Sequence, residues 1–166
     1  VLGSYVQDHC WVTETFPGDG ESRIGRFSTG PGGKGFNQAV ACHRQGVRTL
    51  FLGAIGRDAL GATAKAFAAD NQVAALWEER DDATTAASSI VVDARGQNRI
   101  VVVLGANEKL SVAFVAEHRQ SIHDALRQAG VKTEMVVIKG GDHGFSNNDH
   151  RAEAGRAMAK WFKENL

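Results

Sequence analysis

The chain has 166 residues, of which 43% are hydrophobic and 23% charged, a composition typical of a globular domain with its own core. Its 19 basic and 19 acidic side chains give a formal net charge of zero, which argues against a nucleic-acid partner because such a surface needs a basic excess. No apolar run approaches the roughly 18 residues of a membrane span, and no signal segment opens the chain, so we expect no membrane partner.

The two cysteines, Cys10 and Cys42, lie far apart and are not accompanied by a cluster of histidines or further cysteines. This spacing does not favour a metal site, and we predict none. Isolated cysteines are typical of a reducing compartment, so we predict a cytoplasmic protein, with a Cys10–Cys42 bridge left open.

The first third of the chain alternates between strand-like and helix-like segments. Residues 1–6 resemble a buried strand already under way, so we expect that the natural start has been trimmed. We predict a short exposed strand at 25–29, a glycine-rich loop at 30–35 and a helix at 36–45, which Gly46 ends.

The middle of the chain continues this alternation. We predict a strand at 47–52, a helix at 59–69 capped by Asp58, and a short strand after Val73 that ends in a charged turn. Two β-rich runs, 87–92 and 99–104, flank a polar turn and predict a hairpin.

The C-terminal part predicts a long helix at 111–129 capped by Ser111, a strand at 133–138, a loop at 140–148 and a final helix at 149–165. Alternating strands and helices predict an α/β fold with a mostly parallel sheet and helices on both faces. The hairpin interrupts this alternation, and we expect it to form a small β lid.

The glycine-rich loop and the helix after it carry the clearest chemistry. Glycines allow backbone amides to approach a polar ligand, and the helix directs its first N–H groups to the same place. Lys34 adds a cation, and Asn37 adds a side chain that both donates and accepts hydrogen bonds. The loop matches neither a Walker loop nor a dinucleotide fingerprint, and an ordinary strand-to-helix turn remains the alternative.

The order of motifs resembles the ribokinase-like carbohydrate kinase family. GGKGFNQAVACHRQG with the following VRTLFLGAIG and RDALG is similar to the first signature of that family. GSYVQDH and FPGDGE resemble its first strand and sugar loop, and TTAASSIVVDARGQNRIVVVLGAN resembles its lid hairpin. The resemblance is ordered over residues 1–118 and implies a truncated ribokinase-like fold.

The resemblance also implies a ligand, a sugar such as ribose or a related pentose or nucleoside, and for the whole family ATP and Mg²⁺. We expect neither cofactor for this chain. A weaker correspondence places Asn107 near the site, although asparagine is also common in turns. The substrate-binding residues implied by the resemblance are Asp8, Gly32, Gly33, Lys34 and Asn37.

Phosphoryl transfer needs a nucleotide site, a metal site and a base on the attacking hydroxyl. In the family the base is the aspartate of a Gly-Ala-Gly-Asp motif, and residues 119–166 contain no such motif. The resemblance therefore implies a sugar-binding half without the transfer half, so we predict no catalysis by this chain alone.

Residues 120–166 instead resemble the C-terminal end of an α/β-hydrolase of the esterase or peptidase type. His143, in GGDHGF, would then be the triad base. No Gly-x-Ser-x-Gly nucleophile elbow occurs in the chain, which disfavours a serine-esterase-like hydrolase.

We therefore predict two portions, residues 1–118 and residues 119–166, packed on the same sheet. A chimeric or designed α/β scaffold without a ligand is the alternative to a kinase fragment. We also expect a homodimer through the lid hairpin, where alternation places Ile90, Val92, Ile100 and Val102 on one face.

Overall fold

The computed structural model describes residues 1–128, 149, 152–157 and 160. It divides into two compact units, Val1–Phe114 and Val115–Leu166. The predicted strand at 133–138 and the predicted loop at 140–148 lie outside the described residues. Of the last predicted helix, residues 152–157 are helical.

The elements follow the predicted alternation of strands and helices, which confirms the α/β class. They are β1 (Val6–Val12), β2 (Arg26–Gly32), α1 (Lys34–Arg44), β3 (Leu50–Gly56), α2 (Ala59–Asp70), β4 (Ala74–Arg80), β5 (Ala87–Val92), β6 (Asn98–Val103), a 3₁₀ helix (Gly105–Lys109), α3 (Val112–Glu117) and α4 (Arg119–Gln128).

β3 and β4 form a two-stranded parallel sheet, in which Leu50 is paired with Ala74. The predicted strand at residues 1–6 is wrong in its extent. Leu2 forms only an isolated parallel bridge with Leu52, and the regular strand begins at Val6. The reason is that residues 1–3 pair with β3, where the Gly3 amide donates to the Leu52 carbonyl at 3.1 Å, before the chain crosses to another sheet.

The second sheet has the strand order β2-β1-β5-β6. β1 pairs in parallel with β5, whereas the β1–β2 and β5–β6 pairs are antiparallel. The predicted hairpin is confirmed, with Ile90 opposite Ile100. The hairpin shares its sheet with β1 and β2, apart from the β3–β4 sheet, and its role as a lid stays a prediction.

The core of the first unit lies between β3 and the helices α1 and α2. Tyr5, Phe36 and Phe51 are fully buried, and their rings meet edge to face, with centroids 5.1 Å apart for both Tyr5–Phe36 and Phe36–Phe51. Trp77 of β4 packs against the same cluster. This aromatic packing fixes α1, and with it the loop that precedes α1, against β3.

Asp58 caps α2 as predicted and also connects α2 to the segment before β5. Its carboxylate accepts hydrogen bonds from the Gly61 amide at 2.8 Å and from the Thr85 amide and hydroxyl, both at 2.7 Å. Burial opposes the ionisation of Asp58, but these hydrogen bonds outweigh it and lower the pKa of the carboxyl below its ordinary value.

The predicted single helix at 111–129 is wrong in its continuity, since α3 and α4 are separated by a turn at His118. The predicted cap is confirmed, because the Ser111 hydroxyl accepts a hydrogen bond from the Phe114 amide at 3.0 Å. Nothing in the composition around His118 explains the break. Among the described residues, no helix has the length and apolarity needed to cross a membrane.

Candidate functional site

The carboxylate of Asp8 lies directly against Gly32. Asp8 is on β1 and Gly32 ends the neighbouring strand β2. A Cβ atom built on Gly32 would overlap Asp8 Oδ2 and lie only 2.5 Å from Asp8 Cγ. The absence of a side chain at position 32 therefore makes room for the Asp8 carboxylate.

Ser88 also contacts this carboxylate. Its hydroxyl donates to Asp8 Oδ1 at 2.6 Å, and Ser88 is only 6% exposed. The parallel pairing of β1 with β5 places the two residues side by side. Our sequence reasoning missed Ser88, because the only signal was a pair of serines in an otherwise apolar strand.

The backbone of Asp8 is held by a chain of hydrogen bonds that reaches the core. The Thr29 hydroxyl donates to the Asp8 carbonyl oxygen, and the side-chain Nε2 of Gln7 donates to the Thr29 hydroxyl, both at 2.8 Å. The Tyr5 hydroxyl donates to Gln7 Oε1 at 2.6 Å. Burial, together with the nearby charge of Asp8, raises the pKa of Tyr5 to about 12, which favours the protonated hydroxyl that donates this hydrogen bond.

Gly33 lets the loop before α1 approach the start of β1. Its φ angle is +92°, and an added Cβ would lie 2.5 Å from the Ser4 carbonyl oxygen and 2.8 Å from the Val6 amide nitrogen. The Phe36 amide donates to the same Ser4 carbonyl at 3.1 Å. These contacts fix the N-terminus of α1 beside β1.

Lys34 and Asn37 lie in the first turn of α1, and both are exposed. Within the described ranges, neither side chain takes part in a hydrogen bond or an ion pair. The cap residue Gly33 offers no side chain to the first amides of α1. A cation, an amide and the N-terminus of a helix therefore lie together, and the protein's own described side chains do not use them.

Asn107 has a structural role. Its Nδ2 donates to the Tyr5 carbonyl oxygen at 2.8 Å, and its Oδ1 accepts from the Tyr5 amide at 3.3 Å. Both polar atoms of the side chain are thus bound to the backbone of Tyr5, the residue before β1, which accounts for an asparagine here without a ligand.

The apolar face predicted for the hairpin is on the same side of the sheet as Asp8. Asp8 is beside Ser88 and Ser88 is opposite Val102, so all three side chains share one face. Ile90 and Ile100 continue that face, where Ile100 is 53% exposed and Val102 is 49% exposed.

The remaining sequence predictions concern His143, a metal site and the two cysteines. His143 lies outside the described residues. In the part of the chain that the structure describes, no three or more His, Cys, Asp or Glu side chains group into a protein-built metal centre. Cys10 and Cys42 are free thiols.

Comparison with known proteins matches residues 1–125 to the pfkB family of carbohydrate kinases. The chain is 34% identical over 140 residues to a ribokinase of Bacillus subtilis, covering 84% of this chain and 45% of the relative. Over 109 residues it is 36% identical to a ribokinase of Mus musculus, covering 64% of this chain and 34% of the relative.

Two solved structures show the same fold. A ribokinase from Giardia lamblia superposes with a TM-score of 0.67 at 32% identity, over 76% of this chain and 37% of that one. A ribokinase from Arabidopsis thaliana, solved with ribose and ATP, gives a TM-score of 0.61 at 26% identity, over 78% of this chain and 50% of that one.

The chain therefore belongs to the pfkB family of carbohydrate kinases, and its fold is ribokinase-like. It spans about half or less of the length of the relatives described above.

Proposed function

We propose that the chain is the sugar-binding part of a ribokinase-like carbohydrate kinase, and that these 166 residues do not transfer a phosphoryl group on their own. One observation carries the proposal. The Asp8 carboxylate is held against Gly32 beside a helix N-terminus whose Lys34 and Asn37 are exposed and unengaged within the described ranges.

This arrangement suits a polyhydroxylated ligand. A carboxylate accepts hydrogen bonds from hydroxyl groups, and such charge-assisted bonds are stronger than neutral ones. Lys34 can donate to a hydroxyl, whereas Asn37 can both donate and accept. Ribose, or a related pentose or nucleoside, is the ligand we propose, since the similar proteins include ribokinases and one was solved with ribose.

ATP and Mg²⁺ belong in this proposal to the whole kinase. The Arabidopsis thaliana ribokinase was solved with ATP, which supports a nucleotide for the complete protein. Phosphoryl transfer needs a base and a nucleotide cradle in addition to the sugar site. Residues 119–166 do not contain the Gly-Ala-Gly-Asp motif that supplies the base in the family.

Isothermal titration with ribose tests the sugar site. We expect parent binding to weaken by about tenfold or more in Asp8→Asn and in Lys34→Ala, because each change removes a charged hydrogen-bonding group. Asp70→Asn, at the exposed end of α2, and Lys65→Ala, whose ammonium pairs with Glu79, are matched controls that should bind like the parent. Addition of ATP and Mg²⁺ should yield no ADP above a ribose-free blank.

We further propose that two copies associate through the four-stranded sheet. β6 is an edge strand of that sheet, and its residues 98–103 are all exposed. Val101 is 73% exposed, and Ile100 and Val102 add apolar surface on the other face. An exposed apolar edge strand favours pairing with another chain.

A further inference from the structure

We propose that Ser88 is a positioning residue, which orients the Asp8 carboxylate toward the hydroxyl groups of the bound sugar. This inference rests on the proposed function of Asp8 and extends it to a residue 80 positions away in the sequence. Ser88 acts on the ligand only through Asp8 and does not contact the ligand itself.

The first support is the contact itself. Ser88 Oγ and Asp8 Oδ1 are 2.6 Å apart, within the range of a short hydrogen bond to a charged oxygen. Ser88 is 6% exposed, so water competes little for its hydroxyl. The hydroxyl must donate, because an ionised carboxylate can only accept.

The second support is what surrounds the carboxylate. Oδ1 is bound by Ser88, while Oδ2 lies over the bare Cα of Gly32. The Thr29 hydroxyl fixes the backbone of the same residue at its carbonyl oxygen. With the backbone and one carboxylate oxygen held, the remaining rotation of the Asp8 side chain is restricted. A group held in one orientation binds its ligand with a smaller loss of conformational freedom.

Two serines in β5 provide an internal comparison. Ser88 is buried and faces Asp8, whereas Ser89 is exposed on the opposite face of the sheet, beside His9. A hydroxyl at position 89 cannot reach Asp8 from that face. Ser88→Ala and Ser89→Ala therefore remove the same atom from the same strand, and only the first removes the contact.

The test combines a spectroscopic and a binding measurement on the full 166-residue chain. We expect Ser88→Ala to shift the ¹³Cγ NMR signal of ligand-free Asp8, and to weaken ribose binding by about tenfold, as loss of a hydrogen bond to a charged group does. Ser89→Ala should leave both readouts at the parent values. Ser88→Thr, which keeps the hydroxyl, should restore ribose affinity to within about threefold of the parent.

The outcomes distinguish the role of Ser88 from the proposed sugar site. Ribose binding by the parent with unchanged affinity in Ser88→Ala overturns the role of Ser88 and leaves the sugar site standing. A weakened Ser88→Ala variant that Ser88→Thr does not restore also overturns it, because the hydroxyl is then not the cause. Absence of ribose binding by the parent contradicts the proposed function, and the role of Ser88 falls with it. If the ¹³Cγ signal of Asp8 does not shift in Ser88→Ala, the contact between Ser88 and Asp8 is overturned regardless of the ribose affinity.

Discussion

Gly32 sets how closely β2 approaches the Asp8 carboxylate. A methyl group at this position would overlap Oδ2 and lie 2.5 Å from Cγ, so either the carboxylate or the strand would have to move. Gly30 is two residues earlier on the same strand and opposite Asp8, yet an added Cβ there meets nothing within 4 Å. The contact with Asp8 therefore requires a glycine at position 32, whereas no such contact requires one at position 30.

We predict that Gly32→Ala lowers the free energy of unfolding by about 1–3 kcal/mol, as overpacking of a fitted site does. It should also weaken ribose binding more strongly than Ser88→Ala, because the whole carboxylate is displaced. Denaturant unfolding and ribose titration of Gly32→Ala and Gly30→Ala measure both effects. Equal behaviour of the two variants would show that the contact with Asp8 does not constrain position 32.

At the level of single residues, sequence reasoning finds what is local. The glycine-rich loop, Lys34 and Asn37 are contiguous, so their spacing alone singles them out. Ser88 joins Asp8 only through the parallel pairing of β1 with β5, which no local pattern specifies. For Asn107 the structure gives a different explanation from the sequence. The family resemblance alone placed Asn107 near the ligand, but its hydrogen bonds to Tyr5 account for it structurally.

Among the elements, α2 depends most clearly on one side chain. Asp58 caps the helix and binds both the amide and the hydroxyl of Thr85, so it joins α2 to the segment before β5. Because hydrogen bonding lowers the pKa of Asp58, its contribution to stability is present above the ordinary carboxyl pKa and is lost as the pH falls through the lowered value.

We predict that Asp58→Asn lowers the free energy of unfolding by about 1–2 kcal/mol at neutral pH, since the cap and its charge-assisted bonds weaken. The difference from the parent should shrink as the pH falls from the ordinary carboxyl pKa of about 4 through the lowered pKa of Asp58, because the parent loses its carboxylate charge over that interval. Asp70→Asn, an exposed change at the end of the same helix, is the control. A difference that stays constant from neutral to acid pH would contradict the role of the Asp58 charge.

Turn chemistry explains which elements the sequence predicts well. The β5–β6 hairpin follows from its own turn, where the Asp93 carboxylate accepts from the Arg95 and Gln97 amides and Gly96 adopts a φ of +78°. The extent of the first strand depends instead on which distant strands pair with it. Residues 1–3 and β1 join different sheets, a tertiary effect that the apolar run at 1–6 does not reveal.

At the scale of the whole molecule, the exposed apolar surface of the four-stranded sheet bears on association. A formal net charge of zero gives little electrostatic repulsion between copies. We predict that the parent sediments as a dimer and that Ile100→Lys combined with Val102→Lys sediments as a monomer, because two lysines cannot be buried in an apolar contact.

The control for this prediction is Ile24→Lys, since Ile24 is fully exposed and lies outside the strands. This variant should sediment like the parent. Analytical ultracentrifugation over a range of concentrations decides between these expectations. A monomeric parent, or a dimer that survives both lysines, would contradict association through this sheet.

The two portions of the chain have different support. Family membership rests on residues 1–125, whereas the hydrolase-like origin of residues 119–166 and their packing on the same sheet stay predictions. Equal ester hydrolysis by the parent and His143→Ala would remove the hydrolase alternative.

The most direct test of the sugar site is calorimetric titration of ribose into the parent and into the double variant Asp8→Asn, Lys34→Ala. We predict a saturable heat signal for the parent and no measurable binding for the double variant, with both proteins unfolding cooperatively. No heat with the parent, or the same affinity in the folded double variant, would contradict a sugar site built on Asp8, the end of β2 and the first turn of α1.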